Sequence, residues 1–308
     1  MNFVSIGLKD IINTAILRRS FVSTKTNHMT QHNKVWFITG ASKGFGLSLV
    51  KQLLSKGQKV AATSRNIEEL NSAVNQVSDN FLPLKVDLAD EASVADAILK
   101  TNCTFGQIDV VINNAGYGIG GSVEELTDKE VRNCFDINVF GTLNVIRNVM
   151  PYLRKQRSGH IINVSSIAGI TGGIGWALYT ATKFAIVGLS EVLAEDVKSL
   201  GIKVTVVAPG AFRTSFLTED SLVLAKHVIE DYQEVRASHA RYQKLDGNQP
   251  GDPEKAAAAM IKIAFDETPP VHLLLGEDAY NRAMQKLEIL DKTFRFNEEL
   301  SKSMAYQG

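Results

Sequence analysis

A chain of 308 residues that is 44% apolar and 21% charged can fill a buried core, either in one large α/β domain or in two small ones. Its 33 Lys and Arg balance 33 Asp and Glu, which gives no general attraction for nucleic acid or an anionic membrane. Cys103 and Cys134 stand alone, six histidines show no metal-ligand spacing, and no apolar run reaches the length of a membrane span; a disulfide framework, a thiolate metal site and a transmembrane segment are therefore not expected.

Residues 1–33 differ in composition from the rest of the chain. They carry Lys9, Arg18, Arg19 and Lys25 against one acid, Asp10, with several Ser and Thr. Three readings fit: a disordered extension, an over-extended start with Met29 as the true initiator, or a transit segment. The expected location is cytoplasmic, or mitochondrial if the segment is a genuine transit peptide.

From Lys34 the pattern becomes regular. A short apolar run at 35–38 turns through Gly40, Gly44 and Gly46 into a helical pattern that ends near Gly57. Strand, glycine turn and helix together form a phosphate-binding arrangement: glycines let backbone approach a pyrophosphate, and the free amides of the helix start face its charge. The same turn could instead serve only tight packing. Further strands are expected at 59–63, 82–86, 109–112, 160–164, 203–207 and 271–275, most separated by helical patterns. Val- and Ile-rich runs without polar alternation suit strands buried on both faces. The expected fold is therefore α/β, a doubly wound, mostly parallel sheet with helices on both faces, in a single domain over 34–308. The stretch 212–250 reads as helical, charged and matched by no strand. It is either a lid over the carboxyl end of the sheet or ordinary surface packing.

The pattern over 176–200 reads as one helix, and it places Tyr179 and Lys183 four apart on one face. A phenol with a pKa of about 10 is a poor acid or base at neutral pH, and an ammonium beside it favours the phenolate. Such a pair can also mark nothing more than a solvated helix face. Ser166, just after the run 160–164, adds a hydroxyl at a strand end where the following helix can meet it.

Taken in order, these residues resemble the short-chain dehydrogenases/reductases. TGASKGFG at 39–46 matches the family's TGxxxGxG turn, and NNAG follows at 113–116. Asn138, Ser166, Tyr179 and Lys183 stand at the family's spacing, with Pro209-Gly210 and then Thr214 beyond them. The resemblance implies a Rossmann fold and an NADP(H)-dependent oxidoreductase, a carbonyl reductase that interconverts an alcohol and a ketone or aldehyde. By the same resemblance, Tyr179 is the acid or base and Lys183 tunes it and holds the nicotinamide ribose. Ser166 binds the substrate oxygen, and Asn138 holds a water in a proton relay.

The implied cofactor residues are Gly40, Ser42, Lys43, Gly44, Phe45 and Gly46 in the turn, and Ser64 and Arg65 after the second strand. Asp87 and Leu88 follow the third strand, Asn114, Ala115 and Gly116 the fourth, and Pro209, Gly210 and Thr214 the sixth, with Tyr179 and Lys183 completing the set. Asn113 either helps order the ribose site or only stitches strands together, while Ile137 and Val139 are expected to pack rather than to make contacts. NADP rather than NAD is expected, because Ser64 stands where NAD-specific members carry an acid, and Lys43 and Arg65 offer two cations to a 2′-phosphate. The substrate is expected to be a small apolar alcohol or carbonyl compound, given Trp176, Leu178, Phe212, Phe216 and Leu217 near the mouth. Ala181, Ala185 and Gly188 on one face of helix 177–200 suggest a homo-oligomer. A non-catalytic NADP(H)-sensing protein of the same fold is the alternative, and isomerisation or dehydration at the same site is a third reading.

Overall fold

Strand β1 (Val35–Ile38) lies in the middle of the sheet because all four of its side chains are buried, as a strand covered on both faces requires. Trp36 and Ile38 point to one face and Phe37 to the other, following the two-residue period of a strand. In the computed structural model, which describes residues 33–219 and 221–306, β1 pairs in parallel with β2 (Lys59–Ser64) and with β4 (Val110–Asn113). The expectations for residues 1–32 lie outside the described residues.

Four more strands complete the sheet: β3 (Phe81–Lys85), β6 (Gly159–Val164), β7 (Ile202–Pro209) and β9 (His272–Leu275). The seven run in the order β3-β2-β1-β4-β6-β7-β9, all parallel. Helices α1 (Gly44–Ser55) and α8 (Pro253–Ile263) pack together on the Trp36 face, around Leu49, Leu53 and Met260. The short helix α2 (Ile67–Val74) links β2 to β3 and adds Leu70 and Val74 to the same cluster. Helices α3 (Glu91–Phe105) and α5 (Gly141–Gln156) cover the Phe37 face, around Ile98, Val145 and Val149. This is the expected doubly wound Rossmann-type domain. Its strand order reverses between β1 and β4, and that reversal opens a crevice at the carboxyl ends of the strands.

Two features depart from the sequence reading. The region after β7 is not purely helical: β8 (Leu222–Leu224) pairs in parallel with β5 (Gly118–Gly120), a strand of Gly-Ile-Gly too short and too glycine-rich to carry a periodic signal. Only then does α7 (Gln233–Gln243) follow. Secondly, α6 (Ala177–Lys198), with 22 residues, is long and apolar enough by length and composition to cross a bilayer, contrary to expectation. In the fold it is a core helix that lies against β7 and the turn after β6, with Tyr179, Lys183 and Ser190 on its buried face.

The segment between β7 and α8 is pinned to the body by side chains. Glu125, fully buried, pairs with Arg236 of α7 and accepts the backbone N–H groups of Ser122 and Ile229 at 2.9 Å each. His239 hydrogen-bonds the carbonyl of Gly175 at 3.0 Å, and burial lowers its pKa, favouring the neutral ring.

Candidate active site

The glycine turn after β1 is held by backbone geometry. Gly40 has φ +65°, and a Cβ there would sit 2.8 Å from Ala115 Cα; at Gly46 a Cβ would lie 2.8 Å from Asn114 Nδ2 and closer still to the Gly40 carbonyl oxygen. Both positions therefore require glycine. The turn is tied to the end of β4 through Thr39, whose hydroxyl accepts the N–H groups of Asn114 and Ala115 at 3.0 and 3.1 Å. Asn114 Nδ2 in turn donates to the carbonyls of Thr39 and Gly40 at 3.0 and 2.9 Å. Asn113 faces the other way, its Nδ2 donating to Asn163 Oδ1 at 2.8 Å: it stitches β4 to β6.

On the far side of the sheet, two serines end β6 with different assignments. Ser165 Oγ donates to the carbonyl of Lys183 at 2.9 Å and so fastens the strand to α6. Ser166 Oγ caps the next turn, accepting the N–H of Ala168 at 3.1 Å, and also forms the hydrogen bond that pulls the Tyr179 phenol downward. Burial is the larger influence and holds Tyr179 well above the ordinary phenol value, with Cys134 and Tyr242 adding to it.

Lys183 lies beside the phenol. Its Nζ donates to the carbonyl of Val164 at 3.0 Å and lies 5.8 Å from the Tyr179 ring centroid, while burial pushes its own pKa down to about 8. In a dry pocket the cost of desolvating a phenolate exceeds what an ammonium at that distance returns.

Asn138 links the loop after β4 to α6. It sits in a π-helical turn (Asp136–Phe140) between α4 (Asp128–Phe135) and α5. Its amide oxygen accepts Tyr117 N at 3.0 Å, and its nitrogen donates to Tyr117 O at 2.9 Å and Thr182 Oγ1 at 3.2 Å. Both amide protons are engaged, so the side chain braces the loop after β4 against α6.

These elements enclose a cavity of about 1110 Å³. Of the expected catalytic residues, Ser166, Tyr179 and Lys183 border it and Asn138 does not. Among the expected cofactor residues, Gly40, Ser42, Lys43, Gly44, Phe45, Ser64 and Arg65 border it, as do Leu88, Asn114, Ala115, Gly116, Pro209, Gly210 and Thr214. Gly46 lies behind the turn as a packing position. Asp87 is exposed between Val86 and Leu88, which border the cavity, and its carboxylate accepts the N–H of Ala89 at 3.0 Å. Ile137, expected only to pack, borders the cavity.

Glu69, Arg241, Tyr242, Gln249, Asp278 and Arg282 also line the wall, and none of them is among the residues expected from the sequence. For α7 a signal existed: Ser238, Arg241, Tyr242 and Leu245 recur at helical spacing and share the face turned to the cavity. Asp278 and Arg282 likewise lie four apart, on α9 (Glu277–Phe296).

A dinucleotide cofactor fits this site. The glycine cradle leaves room for a pyrophosphate at the start of α1, and the cavity continues from that turn to Tyr179. Fold and site together define an oxidoreductase of the Rossmann type. The chain belongs to the short chain dehydrogenase family, whose model matches residues 34–222.

Oxidoreductase BOA17 of Botryotinia fuckeliana is 37% identical over 88% of this chain and 99% of its own. A 3-ketodihydrosphingosine reductase of Bacteroides thetaiotaomicron is 37% identical over 79% of this chain and 88% of its own. Among solved structures, a short-chain dehydrogenase from Streptomyces avermitilis superposes with a TM-score of 0.82 at 32% identity, over 90% of this chain and all of that one. Structures of the same fold hold NADH, NADP or NAD. The chain is thus an oxidoreductase of a family that uses NAD(H) or NADP(H).

Proposed function

We propose that the protein is an NADPH-dependent carbonyl reductase, acting in reverse as an alcohol dehydrogenase, with Tyr179 as proton donor to an apolar ketone or aldehyde. The observation that carries this reading is the convergence of Ser166, Tyr179 and Lys183 on the wall of one cavity that begins at the glycine turn. The nicotinamide supplies the hydride. Ser166 positions the carbonyl oxygen through its hydroxyl. Tyr179, kept protonated by burial, gives its proton to that oxygen as negative charge develops there. A phenol with a raised pKa remains a competent donor, because an alkoxide is a stronger base still. Lys183, with its charge close to Tyr179 and to the carbonyl end of β6, holds the cofactor's ribose hydroxyls.

The preference for NADPH rests on Lys43 and Arg65. Both border the cavity, and neither is engaged in an ion pair among the described residues. The strand end carries Ser64 in place of an acid that would repel a phosphate; its hydroxyl oxygen accepts the N–H of Asn66 at 3.1 Å and its O–H remains free to donate. Glu69 is the opposing charge nearby in sequence, one carboxylate against two cations. The name of the Bacteroides relative, a reductase of a keto compound, supports the reductive direction, and Trp176, Phe216, Leu217 and Leu245 give the substrate end an apolar lining. The outer face of α6, where Phe184 and Val192 are exposed and Gly188 meets nothing within 4 Å, suits a second copy in a homo-oligomer. We propose a cytoplasmic location, or a mitochondrial one if residues 1–33 serve as a transit segment.

The test is twofold. Titration of NADPH and NADH into purified protein should show tighter binding of NADPH, and equal or tighter binding of NADH would sink the cofactor assignment. NADPH oxidation should then follow over a panel of apolar ketones and aldehydes. Tight NADPH binding with no turnover across that panel would favour a cofactor sensor.

A further inference from the structure

Arg282 brings a positive charge to the cavity wall without a counter-ion. It stands on α9 one turn after Asp278, a spacing at which an aspartate and an arginine can pair on a helix. Asp291 and Arg295, at the same spacing on the same helix, do pair, at 2.9 Å. The Asp278 carboxylate instead turns to the loop after β7, where it accepts the N–H of Ala211 at 2.9 Å. Arg282 is half-buried and in no ion pair among the described residues. Its Nη2 donates to the carbonyl of Thr171 at 3.1 Å, which leaves further N–H donors on the guanidinium. A charge drawn partly out of water without a partner is costly, and an anion beside it removes that cost.

The turn after β6 sets the distance from this guanidinium to the reacting group. Gly169 N donates to the carbonyl of Ser166 at 2.8 Å, and Ile170 N and Thr171 N donate to that of Ile167 at 3.0 and 2.9 Å. At the rise of about 2 Å per residue of a 3-10 helix, Ser166 and Thr171 lie no more than about 10 Å apart. Helix α9 is seated on this turn through Ala279 and Ala283, which are buried with Ile167 and packed against Ile170. Arg282 is therefore held at one end of a turn whose other end carries Ser166, and both residues border the cavity. Ile167 and Ala168, between the two ends, border it as well, so an apolar segment suits the span. The charge at this end is one-sided. Arg241 of α7 adds a second guanidinium to the wall, exposed and likewise in no ion pair among the described residues. The acids bordering the cavity are Asp278, already engaged, and Glu69, which follows Arg65 and Asn66 beyond β2.

We infer that the natural substrate carries a carboxylate, separated from the reacting carbonyl by an apolar segment, and that Arg282 is the specificity-determining residue that receives it. A carboxylate matches the guanidinium fork in geometry and charge. An ammonium is repelled by both arginines, and a neutral chain end leaves Arg282 without a counter-ion. This rests on the carbonyl-reductase reading for the reacting group. It narrows the substrate from a plain apolar ketone to an oxo acid whose carboxylate lies on the order of 10 Å from the carbonyl.

The experiment compares three linear ketones of matched length, one ending in a methyl group, one in a carboxylate and one in an ammonium. Affinity for each is measured by calorimetry in the NADPH complex of Tyr179→Phe protein, which removes turnover from the readout. The carboxylate congener should bind about ten-fold or more tightly than the methyl-ended ketone, as expected for a charge-assisted hydrogen bond. The ammonium congener should bind more weakly than either. Adding Arg282→Gln removes the charge but keeps an amide that can still donate to the Thr171 carbonyl, and it should narrow the carboxylate preference to within about three-fold. Arg282→Lys keeps the charge and should retain part of the preference. NADPH should bind both variants as it binds the parent, which also certifies their fold. Equal binding of the carboxylate and methyl-ended ketones by Tyr179→Phe protein overturns the inference without any further variant. So does a preference left unchanged by Arg282→Gln. A matching loss of NADPH affinity in Arg282→Gln overturns it too, since Arg282 would then serve the cofactor's phosphates. Turnover is scored separately with unsubstituted protein: absence of NADPH oxidation with all three ketones removes the reductase reading, whereas the binding ratios alone decide the role of Arg282.

Discussion

At the carboxyl ends of β1 and β4 the cavity wall is largely backbone. Glycines at 40 and 44 adopt positive φ, and Thr39 and Asn114 lock the turn with four hydrogen bonds. Across the cavity the wall is side chain, assembled from α7, the segment after β7 and α9, which are remote in sequence and held by contacts such as Glu125 with Arg236. The first kind of wall demands particular residues at particular spacings, because only glycine fits there. The second demands only that some side chain of suitable size arrive from the right direction. A cofactor shared by a whole family can be bound by the first, while a substrate peculiar to one member is read by the second.

Breaking the second wall at its anchor should have the largest effect on stability. Glu125→Ala leaves Arg236 without its partner and should cost about 3 kcal/mol, the low end for a broken buried pair because the Arg236 side chain is 34% exposed. Chemical denaturation measures that cost. Affinity for NADPH should change little, while the KM for the carbonyl substrate rises. An equal loss of both affinities would show that the two walls are not separable.

Breaking the first wall needs only a methyl group. Gly46→Ala drives a Cβ into the Gly40 carbonyl and should cost roughly 1–3 kcal/mol by overpacking, together with weaker nucleotide binding. Gly188→Ala places its methyl in open space within one copy, so it should stabilise the single chain by up to about 1 kcal/mol through helix propensity, and it should lose that gain where a second copy packs on this face of α6. Thermal melts of the two variants against the parent decide the matter.

Within the first wall, charge separates NADPH from NADH. Removing both Lys43 and Arg65 by alanine substitution should weaken NADPH roughly 10- to 100-fold, as expected for lost charge-assisted hydrogen bonds, and leave NADH almost unchanged. A parallel loss for both nucleotides would place these cations on the shared pyrophosphate.

The smallest effect concerns pH. Lys183 has its pKa depressed to about 8 by burial, so it is cationic below that value and neutral above it. If the charge helps to hold the cofactor, the Kd for NADPH should rise a few-fold as pH goes from about 7 to about 9, and be flat below that range. A dissociation constant flat across the window would remove the charge of Lys183 from cofactor binding.

The same contrast governs how much of the molecule is legible in the chain itself. All seven strands of the main sheet fall within about two residues of the expected runs, the five inner ones because parallel strands buried on both faces need unbroken apolar segments. Tyr179, Lys183 and Ser166 are legible from helical spacing and a strand end. β5 and β8 are not, since Gly-Ile-Gly and Leu-Val-Leu are too short to show a period. Ile137 escapes because a π-helical turn rotates it out of the register an α-helix would give it. The raised Tyr179 pKa is out of reach as well: sequence spacing shows that a lysine is near, but not that the pocket is dry.

Whether Tyr179 donates the proton in an NADPH-dependent reduction is tested most directly by following NADPH oxidation in parent and Tyr179→Phe protein side by side, with a ketone the parent turns over. The phenylalanine keeps the ring that packs 5.7 Å from Phe216 and 6.4 Å from Trp176. NADPH affinity should therefore hold while the rate falls by about 2–4 decades, the range expected when a general acid is lost. An unchanged rate in Tyr179→Phe would contradict the account.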